Sequence, residues 1–207
     1  MIDNRNSHDV RMSPGGHLVT TVAACGATAL VTGSLPLTAG VAAGGFLIDV
    51  DHAIDYVFVD RQRDLRPSAF LRYYLEGAMQ RTVLVLHSYE LFGVLAVLAW
   101  WLEAPALAGY LLGGFMHLAL DIAFNGKLTP YSIWAFYSFA YRARYRFQAT
   151  ALLGPVDIKP MGRPFWSAFF RGSDARPGVT FDTRGIDSRF TPTPQPRLSR
   201  TTPPSLS

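Results

Sequence analysis

The chain is poor in cysteine and in charge, and each shortage excludes a class of protein. Its single cysteine, Cys25, cannot form a disulfide within the chain or build a thiolate metal cluster, so a metal site here must use nitrogen and oxygen ligands. Only 16% of the 207 residues are charged and 49% are hydrophobic. This balance is too apolar for an ordinary soluble domain of this size, and we expect a membrane protein.

Lysine and arginine are absent from two long stretches, 17–50 and 83–124. All 19 of them lie instead in 1–16, in 51–82 and from Lys127 onward. Positive residues collect on the cytoplasmic side of membrane proteins. We therefore expect a multi-pass protein of the plasma (inner) membrane with both termini in the cytoplasm. Topology then explains the net charge of +4, and we expect no nucleic acid as a partner.

The apolar segments come in two pairs, 18–33 with 36–48 and 83–102 with 106–124, each joined by a short break. This pattern predicts an all-α fold, a membrane-embedded bundle of about four helices in two hairpins. The second pair has the length of bilayer-spanning helices. The first pair is shorter than the usual ~20 residues, so full spans, tilted segments and re-entrant segments all stay open for it.

The chain divides into four regions by composition. A polar N-terminal segment, 1–16, precedes a membrane domain at 17–150, and a juxtamembrane connector follows at 151–174. The last region, 175–207, is rich in Pro, Arg and Ser and predicts a disordered tail. The basic run "YRARYRF" at 141–147 is interpreted as a juxtamembrane flank, with contact to anionic lipid headgroups as the alternative.

Eight histidine and carboxylate residues lie inside or beside the apolar segments. In chain order they are His17, Asp49, Asp51, His52, His87, Glu90, His117 and Asp121. If both hairpins enter from one face, all eight lie at the same end of the bundle. Residues three or four apart share a helix face, and metal sites in helical bundles use that spacing. We therefore predict a divalent metal site, with zinc favoured over manganese or iron.

Simpler explanations exist for each of these residues. A histidine at a helix end, such as His17, is often a cap, and His87 with Glu90 would also suit a buried hydrogen-bonded pair. His117 with Asp121 is harder to explain in this way, because ionisable groups at membrane depth are costly. Asp55 has three interpretations: ligand, partner of His52, or solvated loop residue. Convergence at one end favours the metal site.

Glycines at helical spacing predict close helix packing. Gly40 and Gly44 in the second segment, and Gly109 and Gly113 in the fourth, each form a Gly-x-x-x-Gly pair. The pattern is frequent by chance in glycine-rich apolar segments, and this chain has 18 glycines.

The motifs of this chain resemble the YdjM-like membrane-bound metal-dependent hydrolases, described as LexA-regulated inner-membrane hydrolases. In that family an early His opens the first helix, a "PDIDH"-like segment follows the second, "THS" begins the next, and "H-x-x-x-D" leads to a Gly and a Pro. Here "GGHLVTTVAACG", "FLIDVDH", "LHSYE" and "HLALDIAFNGKLTPYSIW" occupy those places, over roughly residues 14–137. Ile48 stands where the family has Pro, and Gln80-Arg81-Thr82 replaces its "HRG".

The resemblance implies a ligand set and an activity. The family is distantly similar to zinc-dependent phospholipase C and related single-strand nucleases, which implies phosphoester hydrolysis. By motif it implies the ligands His17, Asp49, Asp51, His52, His87, His117 and Asp121, and Glu90 is added on spacing alone. A metal-activated water would be the nucleophile, with Glu90 or Asp51 as general base. The location at a membrane face points to a small-molecule or lipid-linked phosphoester.

Two functions of other classes compete with the hydrolase. One is a non-catalytic membrane protein that binds a metal ion or relays protons. The other is a membrane anchor or adaptor whose tail binds a cytoplasmic partner. Oligomeric state does not follow from the sequence.

Overall fold

The computed structural model describes residues 12–125, 129, 132–154 and 162–172, and the regular structure in these residues is helical. The all-α prediction is therefore confirmed for this part of the chain. The predicted disordered tail at 175–207 lies outside the described residues, as do 1–11 of the N-terminal segment and 155–161 of the connector.

Ten α-helices lie in the described residues: α1 Pro14–Thr32, α2 Leu35–Gly45, α3 Val50–Ile54, α4 Pro67–Leu75, α5 Tyr89–Trp101, α6 Pro105–Asn125, α7 Ile133–Phe136, α8 Phe139–Arg144, α9 Ala149–Leu153 and α10 Phe165–Arg171. A 3-10 turn, Leu47–Asp49, leads into α3, and a π turn, Asp55–Val59, follows it.

Two helices, α1 and α6, are long and apolar enough to cross a membrane. α2 and the segment Leu47–Val59 pass the same test together, but the chain bends by 46° between them. α1 begins earlier than predicted because the Ser13 hydroxyl caps it and Pro14 occupies its first turn. The first segment is thus a helix of spanning length, and the prediction for 106–124 is confirmed.

The predicted span 83–102 is corrected by the structure. Residues 83–88 are not helical, and α5 has 13 residues, about 20 Å at 1.5 Å per residue, which is too short for a bilayer core of about 30 Å. The Ser88 hydroxyl accepts the N–H of Leu91 and so starts α5 there. Two buried carboxylates and a buried guanidinium hold the main chain before Ser88 instead.

α2 and α6 form the central helix pair, and glycines allow it. A Cβ atom on Gly44 would overlap the carbonyl oxygen of Tyr110, and one on Gly113 would overlap the carbonyl oxygen of Val41. Gly40 and Gly109 meet the opposite backbone in the same way. The prediction of close packing at these glycines is confirmed, and α1 and α5 pack on the two sides of the pair.

The four tryptophans of the chain are all exposed, between 64% and 81%. Trp100 and Trp101 end α5, at the end of the bundle where α6 begins. Trp134 lies on α7 and Trp166 on α10, which packs against the first turns of α1. Tryptophans concentrate at the two interfaces of a bilayer. This placement is compatible with a membrane protein whose helices run between two such interfaces.

Candidate metal centre

Six side chains form two adjacent groups that could hold a metal ion. The first, here called the helix triplet, consists of His17 on α1 and His117 and Asp121 on α6. The second, here called the loop triplet, consists of Asp49 from the 3-10 turn, His52 on α3, and His87 from the irregular segment before α5. The structure thus brings six of the eight predicted residues together at one place.

Three donor atoms form a nearly regular triangle where the two triplets meet. His87 Nε2 lies 3.2 Å from His117 Nε2, and Asp49 Oδ1 lies 3.5 Å from the former and 3.4 Å from the latter. Tetrahedral ligands at 2.0–2.1 Å from a zinc ion lie roughly 3.4 Å from one another. The three atoms therefore lie as close together as the ligands of a small divalent ion do.

Hydrogen bonds on the far side of each ring direct the two Nε2 atoms into this triangle. The Nδ1 atom of His117 lies 3.0 Å from the carbonyl oxygen of Gly45, which can only accept, so Nδ1 carries the proton. The Nδ1 atom of His87 lies 3.0 Å from the Asp51 carboxylate, which likewise accepts. When each ring is neutral, its Nε2 atom presents a lone pair, as in metal-binding histidines.

The close α2–α6 crossing explains the first of these bonds. Because Gly44 and Gly113 let the two backbones touch, the carbonyl of Gly45 at the end of α2 reaches the ring of His117 on α6. Small residues in the sequence are thus linked directly to the orientation of a candidate ligand.

Asp121 is held by a similar set of donors. Its Oδ1 accepts from the side chain of Asn125 at 3.0 Å and lies 3.0 Å from His17 Nε2. Its Oδ2 accepts the hydroxyl of Tyr137 at 3.0 Å and lies 3.4 Å from His117 Nε2. Neither Tyr137 nor Asn125 was predicted from the sequence. Asn125 carried a weak signal, since it lies one turn after Asp121 on the same face of α6.

The cluster is open on the side of the loop triplet. The side chains of Asp49 and His52 are 31% and 28% exposed, whereas those of the other members are between 1% and 11% exposed. A small molecule would therefore meet Asp49 and His52 first. Tyr74 borders His52 on this side, because its hydroxyl donates to the His52 carbonyl at 2.6 Å.

The segment 82–88, here called the ligand loop, carries His87 and is held from two sides. Its N–H groups bind two buried carboxylates: Asp55 accepts from Val83 and Leu84, at 2.6 and 3.1 Å, and Asp51 accepts from Leu86 at 3.0 Å. Leu84 adopts a left-handed conformation, with φ of 47°. This conformation is unfavourable for leucine, so the surrounding contacts must impose it.

Arg142 holds the other side of the ligand loop. Its side chain is fully buried, and its guanidinium donates to the carbonyl oxygens of Val83, Leu84 and His87 and to that of Phe136, at 2.6–3.1 Å. Burial lowers the pKa of this guanidinium from its usual value, and nearby carboxylates oppose that effect. Nothing in "YRARYRF" distinguishes Arg142 from Arg144, so the sequence does not predict this role.

The structure gives the predicted residues Asp51, Asp55 and Glu90 other contacts. Asp51 is buried against His87 Nδ1 and the ligand loop, and Asp55 is buried against main-chain N–H groups, so the solvated position considered for Asp55 is wrong.

Glu90 is exposed and belongs to neither triplet. Its carboxylate accepts from the Ser138 hydroxyl and from the N–H groups of Phe139 and Ala140, at the start of α8. These contacts do not support Glu90 as ligand or base.

The charge around His87 favours a cation. Burial alone would lower the pKa of this histidine, but the charge of Asp51 and the hydrogen bonds with Asp49 and Asp51 outweigh burial and raise the pKa to about 9. The same carboxylates would attract a divalent ion.

The donor set fits a divalent metal of the zinc, manganese or iron type, because it consists of imidazole and carboxylate without sulfur. Two buried ring nitrogens, Nδ1 of His17 and Nδ1 of His52, also have no hydrogen-bond partner among the described residues. An unpartnered buried nitrogen is costly unless something binds it. One such nitrogen lies in each triplet.

Comparisons of the chain with family models, with curated proteins and with solved structures find no match.

Proposed function

We propose that the protein is a membrane-bound metal-dependent hydrolase that acts on phosphoesters. The observation that carries the proposal is the triangle of Asp49, His87 and His117, whose donor atoms point at one another across 3.2–3.5 Å. Groups with only acceptor lone pairs repel at such distances unless a cation or a proton lies between them.

A divalent ion bound here would supply a water of lowered pKa and positive charge for a phosphoryl oxygen. The protein supplies orientation: Asp51 and the Gly45 carbonyl fix the tautomers of His87 and His117, and Tyr137 holds Asp121. Asp49, the most exposed carboxylate of the cluster, is the candidate ligand that an entering substrate would meet first. The contacts of Glu90 and Asp51 support neither of them as the base.

The membrane setting suggests where the substrate lies. His17 is the fourth residue of α1, and Asp121 is the seventeenth of the 21 residues of α6, so the cluster lies toward one end of both candidate spans. The exposed Trp134 lies on α7, which follows α6 in the chain. The exposed Trp166 lies on α10, which packs against the start of α1. We propose that this end is cytoplasmic and that the substrate is a phosphoester, lipid-linked or soluble, that reaches this interface.

A second candidate function has its own support. The contacts from Asp51 through His87, His117 and Asp121 to Tyr137 form a continuous chain of titratable groups with steps of 3.0–3.4 Å, as a proton relay requires. Such a protein would need no metal. The adaptor function depends on the tail, which lies outside the described residues.

The test is hydrolysis of bis(p-nitrophenyl) phosphate and of labelled phospholipid by the purified protein in nanodiscs. We expect turnover that EDTA abolishes and that Zn²⁺ or Mn²⁺ restores, and His117→Ala should remove it. Asp64→Asn is the matched control, because the Asp64 carboxylate pairs with Arg66 on the surface. Metal binding without turnover on either substrate class would contradict the hydrolase, and turnover without metal would contradict the site.

A further inference from the structure

We infer that the cluster holds two divalent ions, one in each triplet, and that the carboxylate of Asp49 is shared between them. This inference rests on the proposed metal site and specifies its nuclearity.

The number of donors is the first argument. A catalytic zinc ion uses three protein ligands and keeps one position open. The cluster offers six donor side chains, divided into two groups of three whose donor atoms lie within 4.8 Å of one another. A single ion bound by Asp49, His87 and His117 would leave His17 and His52 without a function. Two ions with three ligands each use the whole set.

The position of Asp49 is the second argument. Its Oδ1 lies 3.5 Å from His87 Nε2 and 3.7 Å from His52 Nε2 in its own triplet, and 3.4 Å from His117 Nε2 in the other. A carboxylate has about four lone-pair sites on two oxygens, so it can bind two cations at once. Paired catalytic ions lie about 3.5–4 Å apart, a separation that one carboxylate spans.

The balance of charge is the third argument. Asp49 and Asp121 belong to the cluster, the carboxylates of Asp51 and Asp55 accept from the ligand loop beside it, and the buried guanidinium of Arg142 donates to the same loop. One divalent ion leaves this set with an excess of negative charge, which would repel an anionic phosphoester. Two divalent ions would make the net charge of this set positive.

The unpartnered nitrogens agree with this division. His17 Nδ1 belongs to the helix triplet and His52 Nδ1 to the loop triplet, and neither has a hydrogen-bond partner among the described residues. Each triplet thus contains one histidine whose Nδ1 atom is not committed to a hydrogen bond.

The experiment is a Mn²⁺ titration of metal-stripped protein in detergent, followed by equilibrium dialysis and by electron paramagnetic resonance. Two bound Mn²⁺ per chain with an exchange-coupled multiline spectrum are the expected result. His17→Ala and His52→Ala, one change in each triplet, should each retain one Mn²⁺ with the six-line spectrum of an isolated ion. Asp49→Asn should lose the coupling, and the surface control Asp64→Asn should bind two coupled ions.

The outcomes separate this inference from the proposed function. One Mn²⁺ per chain in the unaltered protein, with hydrolysis intact, would overturn the two-ion site and leave the metal-dependent hydrolase standing. Two uncoupled ions would overturn the sharing of Asp49. No bound ion would overturn both. Circular dichroism of each stripped variant must show the helix content of the unaltered protein, so that loss of an ion is not loss of fold.

Discussion

The two triplets reach the same cluster by different means. His117 and Asp121 lie four residues apart on the long helix α6, and His17 lies in the first turns of α1, so helix geometry and helix packing place all three. Asp49, His52 and His87 lie in a 3-10 turn, a five-residue helix and an irregular loop. Hydrogen bonds to the carboxylates of Asp51 and Asp55 and from Arg142 hold this loop in place. The helix triplet should therefore depend on packing, and the loop triplet on buried polar contacts.

Gly44→Val disrupts the packing of α2 against α6 and should have the largest effect on stability. The new side chain would overlap the carbonyl of Tyr110 on α6, and backbone on both sides leaves little room to adjust. We expect a loss of about 3 kcal/mol or more in the free energy of unfolding, and loss of metal from both triplets. Thermal unfolding in detergent, followed by circular dichroism, measures the first effect.

Gly26→Val is the control for that change. A Cβ atom on Gly26 in α1 would meet nothing within 4 Å, so valine there adds apolar surface without a clash. We expect its unfolding temperature to stay close to that of the unaltered chain. An equal loss of stability in the two variants would show that the α2–α6 contact is not the cause of the loss in Gly44→Val.

Arg142→Met should damage the loop triplet more than the helix triplet. It removes the donors to four main-chain carbonyls while keeping most of the side-chain volume, which we expect to cost about 2–3 kcal/mol of stability. The ligand loop would lose the bonds that fix the position of His87. Affinity for the ion bound by Asp49, His52 and His87 should fall, as measured by competition with a fluorescent zinc chelator.

Arg144→Met tests whether charge alone matters. Arg144 lies two residues away in the same basic run but is exposed. Substitution at such a position usually changes stability by no more than about 0.5 kcal/mol. A similar loss of metal affinity in both variants would mean that Arg142 acts through charge rather than through the ligand loop.

Asp51→Asn should lower metal affinity without unfolding the protein. The amide oxygen keeps an acceptor for the ring proton of His87, but the negative charge that favours a cation there is lost. Loss of such a supporting carboxylate usually costs 10- to 100-fold in metal affinity. The chelator competition described for Arg142 measures it, and an unchanged dissociation constant would contradict the orienting role.

Glu90→Gln should have the smallest effect and should depend on pH. Burial raises the pKa of Glu90, but the hydrogen bonds from Ser138, Phe139 and Ala140 together outweigh it and lower the pKa to about 2. Because the folded pKa lies below the unfolded value of about 4.3, the carboxylate contributes stability above that pH and loses its contribution as pH falls toward 2.

Because Glu90 is exposed, we expect Glu90→Gln to cost no more than about 0.5 kcal/mol at pH 7, and the difference from the unaltered chain should vanish near pH 2. Chemical unfolding at pH 7 and pH 3 measures the difference. A loss of bound metal in Glu90→Gln would restore Glu90 as a ligand and contradict the position that the structure gives it.

Much of the cluster could be predicted from the sequence because its residues interrupt apolar segments. Residues such as His117 and Asp121 stand out in "GYLLGGFMHLALDIAF", and helix periodicity relates them to each other. The glycine pairs also predicted the α2–α6 contact, since backbone-to-backbone packing requires the absence of a side chain.

The roles of Arg142, Tyr137 and Asp51 could not be predicted in the same way. Arg142 and Tyr137 lie far from their partners in the chain, and their bonds to the ligand loop and to Asp121 depend on tertiary packing. Asp51 was found but was interpreted as ligand or base, because spacing does not tell a carboxylate that binds an ion from one that orients a histidine. The short α5 was missed because residues 83–88 are as apolar as a helix but bind buried polar side chains.

The most direct measurement is the metal content of detergent-purified protein by plasma mass spectrometry, compared with that of a His87→Ala, His117→Ala double variant. Both histidines direct Nε2 into the triangle with Asp49, so we expect bound Zn²⁺, Mn²⁺ or iron in the unaltered chain and a clear loss in the variant. A metal-free unaltered chain, after reconstitution with each of the three metals, would contradict the site and favour the proton relay.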